Sequence, residues 1–95
     1  MIKSFANKET EDVFHGIHTH HIRIHLTPEI LKKAEKRLDL LNCADSLESL
    51  SLIPAMKEDA LVRDAHGKYS IPVFNNWRIA FRWEKDGPAD VEIKT

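Results

Sequence analysis

In the run Trp77-Arg78-Ile79-Ala80-Phe81-Arg82-Trp83, arginine takes two even-numbered positions and large apolar side chains take the odd ones. An extended strand sends Trp77, Ile79, Phe81 and Trp83 to one face and Arg78 and Arg82 to the other. A guanidinium meets a phosphate through two parallel hydrogen bonds, so this pair suits an extended phosphodiester backbone. The same spacing also describes two arginines that only solvate an exposed sheet face. From Arg63 to Arg82 the chain carries four basic residues and one acidic one, although the whole has a net charge of −1. The balanced total hides a modest basic patch on the segment that carries the arginines. It is too small for strong nonspecific binding of nucleic acid.

Histidine is the other conspicuous type. His15, His18, His20, His21 and His25 crowd eleven residues, and neutral imidazole ligates zinc, nickel and copper. Read as extended, His21 and His25 share one face and His18 and His20 the other, which does not close a site. A solvated or partner-facing connection is the plainer reading, and no metal or other cofactor is expected. Ile22-Arg23-Ile24-His25-Leu26 alternates, so it could pair with a strand edge or touch a partner. His66 could carry a proton, since imidazole as a group titrates near neutral pH, or serve only as a turn residue beside Gly67. Cys43, just past an apolar helix face, reads as a small buried residue. Asp59, Asp90 and Glu92 read as solvent-exposed acids.

These groups need elements to hold them. Ninety-five residues at 42% hydrophobic and 31% charged suit one domain, residues 1–95, with a modest core. No apolar run approaches the ~20 residues of a spanning helix, and Met1–Phe5 lacks a signal peptide's apolar stretch. A single cysteine points to a reducing cytosol. Met1–Phe5 alternates as a strand. Asn7 caps a short helix to about His15, with Val13 and Phe14 inward and Gly16 ending it. Thr27-Pro28-Glu29 opens the clearest helix, whose Leu31, Ala34, Leu38 and Leu41 make one apolar stripe flanked by Ile30. Ser46 caps a further turn to Leu50, and Leu52–His66 reads as an irregular connection.

The last third changes period from 3.6 to 2. Lys68–Phe74, the Trp77–Trp83 run and Ala89–Ile93 are strands, joined at Asn75-Asn76 and at Glu84–Gly87. The expected fold is α+β: an N-terminal strand, two helices on one face of a mainly antiparallel sheet, and a C-terminal three-stranded meander.

Gly67-Lys68-Tyr69-Ser70-Ile71, Asn76-Trp77-Arg78-Ile79-Ala80-Phe81-Arg82-Trp83 and Asp90-Val91-Glu92-Ile93 together resemble a known family. It is the HigB group of RelE-superfamily toxins from bacterial type II toxin–antitoxin modules. Met1-Ile2-Lys3-Ser4-Phe5 with Lys8 and Thr10-Glu11 fits the same pattern, as does Arg37-Leu38-Asp39-Leu40-Leu41-Asn42 with Ala44 and Leu47. The resemblance covers most of the chain apart from Gly16–Leu26 and the stretch around Ile53–His66. It implies a cytoplasmic, ribosome-dependent endoribonuclease that cuts messenger RNA by attack of a ribose 2′-OH on the adjacent phosphate. It further implies a HigA-like helix-turn-helix antitoxin as partner, with operator DNA reached only through that antitoxin, and no membrane.

Carried over residue by residue, Arg78 matches the family's strand arginine and would stabilise the phosphate. Lys57 falls where relatives place a basic residue before the Ala60-Leu61 pair, a second phosphate contact. Arg63 and His66 lie near basic positions of relatives, and Tyr69 matches an aromatic or His position that could stack on a base. Lys68 and Arg82 add to the RNA-facing charge. Relatives end in a segment like Val-Glu-Ile-Val-Asp-Tyr-His, whose acidic, Tyr and His residues belong to the active site. Here Val91-Glu92-Ile93 is followed by Lys94-Thr95, so His66 is the nearest candidate for proton transfer. The departure keeps a second reading open: a catalytically degenerate toxin fold acting in an antitoxin–operator complex.

Overall fold

The computed structural model describes residues 1–51 and 61–95. In chain order its elements are α1 (Lys8–Phe14), α2 (His20–His25), α3 (Pro28–Cys43), α4 (Leu47–Ser51), β1 (Val62–Arg63), β2 (Tyr69–Phe74), β3 (Trp77–Glu84) and β4 (Gly87–Lys94). The strands form one sheet in the order β1-β2-β3-β4, every neighbouring pair antiparallel. This is the α+β architecture expected, with β1 added outside the three-stranded meander. No helix among the described residues is long and apolar enough to cross a membrane.

Capping side chains set the helix starts. Asn7 accepts the Thr10 N–H at 2.8 Å, and Glu9 and Glu11 sit in the first turn of α1, where the helix dipole favours negative charge. Thr27 accepts the Ile30 N–H at 3.3 Å and Pro28 occupies the first turn of α3. The stripe of Leu31, Ala34, Leu38 and Leu41 is buried, as is Ile30. It packs with Val13 of α1 and with Ile71, Val73, Ile79, Phe81 and Val91 of the sheet. Trp77 and Trp83 lie partly buried against that core. The Arg37 Nε–H donates to the Pro72 carbonyl at 3.2 Å, tying α3 to β2.

Met1–Phe5 takes the place expected of a strand but bridges at one residue only, Phe5 parallel to Val91 of β4. Three backbone bonds hold it: Lys3 N–H to Pro88 O at 2.7 Å, Val91 N–H to Ser4 O at 3.1 Å, and Ala6 N–H to Val91 O at 2.9 Å. The Met1 carbonyl passes so close over Gly87 that a Cβ there would collide with it, and Gly87 has φ +155. Only glycine suits that crossing.

Three expectations are corrected. The histidine-rich stretch read as a loop or an extended segment contains a helix, α2. Thr19 caps it by accepting the Ile22 N–H at 3.2 Å, and Ile22 and Leu26 are almost fully buried beneath it. Cys43 is exposed, because two residues past Leu41 is about 200° around the helix, away from the buried stripe. Val62–Arg63, placed in the irregular connection, pairs with Ser70 and Tyr69 of β2. Lys57 and Asp59 lie outside the described residues.

Candidate functional site

Sheet register determines what meets Arg78. Across β2 and β3, Tyr69 opposes Phe81 and Ile71 opposes Ile79 on the helix-covered face. Ser70 opposes Ala80 and Pro72 opposes Arg78 on the outer face. On the other side Lys94 of β4 opposes Arg78, and Val62 of β1 opposes Ser70. The outer face therefore carries Arg78 between neighbours from β2 and β4, with small side chains beside it.

A cleft of about 170 Å³ opens there, lined by Val62, Asp64, Lys68, Tyr69, Ser70, Arg78, Ala80, Lys94 and Thr95. Arg78 is part-buried in it. Its Nε–H donates to Ser70 Oγ at 2.9 Å, and Nη2 donates to the Ser70 carbonyl at 3.1 Å. Among the described residues that line it, Arg78, Lys68 and Lys94 carry cationic side chains and Asp64 a carboxylate. An anion of phosphodiester type fits that balance.

Asp64 belongs to the turn that leads into β2. Its backbone N–H donates to the Lys68 carbonyl at 2.8 Å, and the Gly67 N–H returns to the Asp64 carbonyl at 3.2 Å. Its Oδ1 accepts the backbone N–H groups of His66 at 2.8 Å and Lys68 at 3.0 Å. The Lys68 N–H is the main reason its carboxyl is held below the ordinary 3.8; desolvation opposes it, and the His66 N–H adds to the lowering. Asp64 is therefore ionised at neutral pH and fixes the shape of the turn.

The other sequence-derived candidates take different places. His66 is exposed in that same turn but does not line the cleft. Arg82 is on the outer face, yet its guanidinium is held between two carboxylates. Nε and Nη2 donate to Asp90 Oδ2 at 2.8 and 2.7 Å, and Nη2 also reaches Glu84 Oε1 at 3.1 Å. Tyr69 borders the cleft, but its ring stacks on Phe81 with centroids 5.9 Å apart, and the Arg63 guanidinium lies 5.6 Å from the ring centre. Lys68 lines the cleft. Ser70, Asp64 and Lys94 were not singled out from the sequence. Ser70 was within reach of it: two residues before the partner of Arg78, it is the diagonal neighbour on the same face.

The histidines form pairs rather than a cluster. His18 bonds Glu35 of α3, His21 Nε2 lies 3.1 Å from Glu9 Oε2 of α1, and the His21 and His25 rings meet edge to face at 4.7 Å. The Glu9 contact ties the six-residue α2 to α1, and the Glu35 contact ties the segment just before α2 to α3. Among the described residues, no three His, Cys, Asp or Glu side chains gather to hold a metal ion. A second cleft of about 540 Å³ lies between α2 and α3, floored by Leu26 and Leu31 and rimmed by Arg23 and Lys32.

Comparison with protein families gives a match over residues 3–93 to the model described as a RelE-like toxin of type II toxin-antitoxin system HigB. No curated protein matches the chain.

Proposed function

We propose that this chain, which belongs to the HigB-like family of RelE-like type II toxins, is a ribosome-dependent endoribonuclease that cuts messenger RNA. Family membership brings an antitoxin as partner, and the reading makes it a HigA-like helix-turn-helix protein that carries the operator contacts. The toxin then acts in the cytoplasm, where messages are translated.

The observation that carries the reading is the outer-face cleft, with Arg78 part-buried and Lys68 and Lys94 beside it. In the proposed reaction the ribose 2′-oxygen attacks the adjacent phosphorus and the P–O5′ bond breaks. The products are a 2′,3′-cyclic phosphate and a 5′-hydroxyl. The 2′-OH gives up its proton, the leaving 5′-oxygen takes one, and the phosphoryl oxygens gain charge in between. Arg78 meets that charge with fixed donors. Lys57 supplies a second cation, Lys68 and Arg63 track the backbone, and His66 takes the part of proton carrier. Arg82 and Tyr69 have weaker claims, since Arg82 is paired with Asp90 and Glu84 and the Tyr69 ring rests on Phe81.

The test is induction in a bacterial host without antitoxin, with 5′-hydroxyl ends mapped across translated messages. Growth arrest with new cuts, both relieved by Arg78→Ala, supports the reading. A chain that folds, associates with ribosomes and produces no cuts favours the degenerate toxin instead.

A further inference from the structure

We infer that Ser70 is a positioning residue for Arg78, setting the plane of its guanidinium toward the phosphate; the inference rests on the role of Arg78 given above. An arginine side chain carries substantial rotamer entropy, which binding would otherwise have to overcome. Ser70 takes two of its donors, Nε–H through Oγ at 2.9 Å and Nη2 through the backbone carbonyl at 3.1 Å. Two anchor points on one planar group fix both its direction and its tilt.

Ser70 offers Arg78 a hydroxyl and a carbonyl, two oxygens placed by one residue of β2. Position 70 suits the task. It stands opposite Ala80, whose small side chain leaves the diagonal open, and opposite Val62 on the other side. The carbonyl contact survives any substitution at 70, whereas the Oγ contact survives only in threonine.

The experiment compares purified wild type, Ser70→Ala, Ser70→Thr, Arg78→Ala and the Ser70→Ala/Arg78→Ala double variant in ribosome-coupled RNA cleavage. Thermal unfolding of each variant serves as the control for folding. Ser70→Ala is expected to lower kcat about tenfold with little change in KM, the loss of one hydrogen bond to a charged group, and Ser70→Thr to restore it. In the Arg78→Ala background, Ser70→Ala should add nothing, as for residues acting through one another. A silent Ser70→Ala beside an inactive Arg78→Ala overturns the inference, and so does a Ser70→Ala loss that stays undiminished in the double variant. Arg78→Ala cleaving at the wild-type rate overturns the parent reading instead. Solvent exchange of the Arg78 Nε–H, followed by NMR, decides the contact independently of activity: it should quicken in Ser70→Ala and not in Ser70→Thr, and an unchanged rate in both rejects it.

Discussion

Ser70 and Arg78 meet on a diagonal of the sheet, Ser70 standing opposite Ala80 and Arg78 opposite Pro72. The guanidinium of Arg78 is thereby drawn back along β2 rather than projecting straight from β3. Pro72 favours this arrangement, because it has no N–H and the β2–β3 register shifts between Pro72 and Phe74.

The first prediction concerns that guanidinium. Arg78→Ala should lower RNA cleavage by about a hundredfold or more, the usual effect of removing a preorganised donor from a transition state. Arg78→Lys should recover only part of it, since an ammonium keeps the charge but not the planar fork that Ser70 holds. Single-turnover cleavage assays separate the three proteins, and a fully active Arg78→Lys would show that charge alone suffices.

The second concerns Thr10, which is 1% exposed and whose Oγ1 accepts the Ile93 N–H at 3.0 Å. Thr10→Val keeps the shape and removes the acceptor, leaving a donor of β4 unsatisfied against α1. Urea unfolding should show a loss of about 1–3 kcal/mol. Thr10→Ser should lose less, because the acceptor remains.

Asp64 supplies a pH dependence. Its folded carboxyl lies below the ordinary 3.8 because the Lys68 and His66 N–H groups bond the ionised form. Its stabilising effect is therefore fully present above that value and fades as the pH falls through the lower, folded one. Wild type should exceed Asp64→Asn in urea midpoint at pH 7, and the gap should close in acid. A gap independent of pH would rule out the ionised carboxylate as its source.

Gly87 gives a fourth. Gly87→Ala places a Cβ against the Met1 carbonyl and strains a backbone at φ +155. The N-terminal segment should lift while the rest of the sheet persists. Hydrogen exchange reads this directly: the amides of Lys3 and Ala6, bonded to Pro88 and Val91, should lose protection, and those of β2–β3 should keep theirs.

Local signals explain which parts of this architecture the residues declare. Thr27-Pro28-Glu29 and the Leu31–Leu41 stripe announce α3 because the cap and the period sit in consecutive residues. Asn75, with φ +52, announces its hairpin for the same reason. Helix α2 is silent because six residues with interrupted histidines show no period. Its existence depends on the Thr19 cap, on Glu9 of α1 meeting His21, and on burying Ile22 and Leu26. Strand β1 is silent because both its residues are exposed and their partners lie six to eight residues on.

In the candidate site, Arg78 is legible from alternation alone, whereas the engagement of Arg82 is not. Asp90 reaches it only because β4 shifts register opposite Ala80–Arg82 and Asp90 takes a φ of +51. The pattern that sends two arginines to one face cannot say that a bulge will hand Arg82 to a carboxylate.

The N-terminal segment has a consequence for the molecule among its own copies. By bonding Lys3, Ser4 and Ala6 to Pro88 and Val91, the chain occupies a margin of β4 that would otherwise be a template for a neighbour's strand. Sheet growth past β4 must wait until those first residues peel away. Gly87→Ala, by crowding the Met1 carbonyl, should therefore bare that margin while the rest of the sheet is still folded.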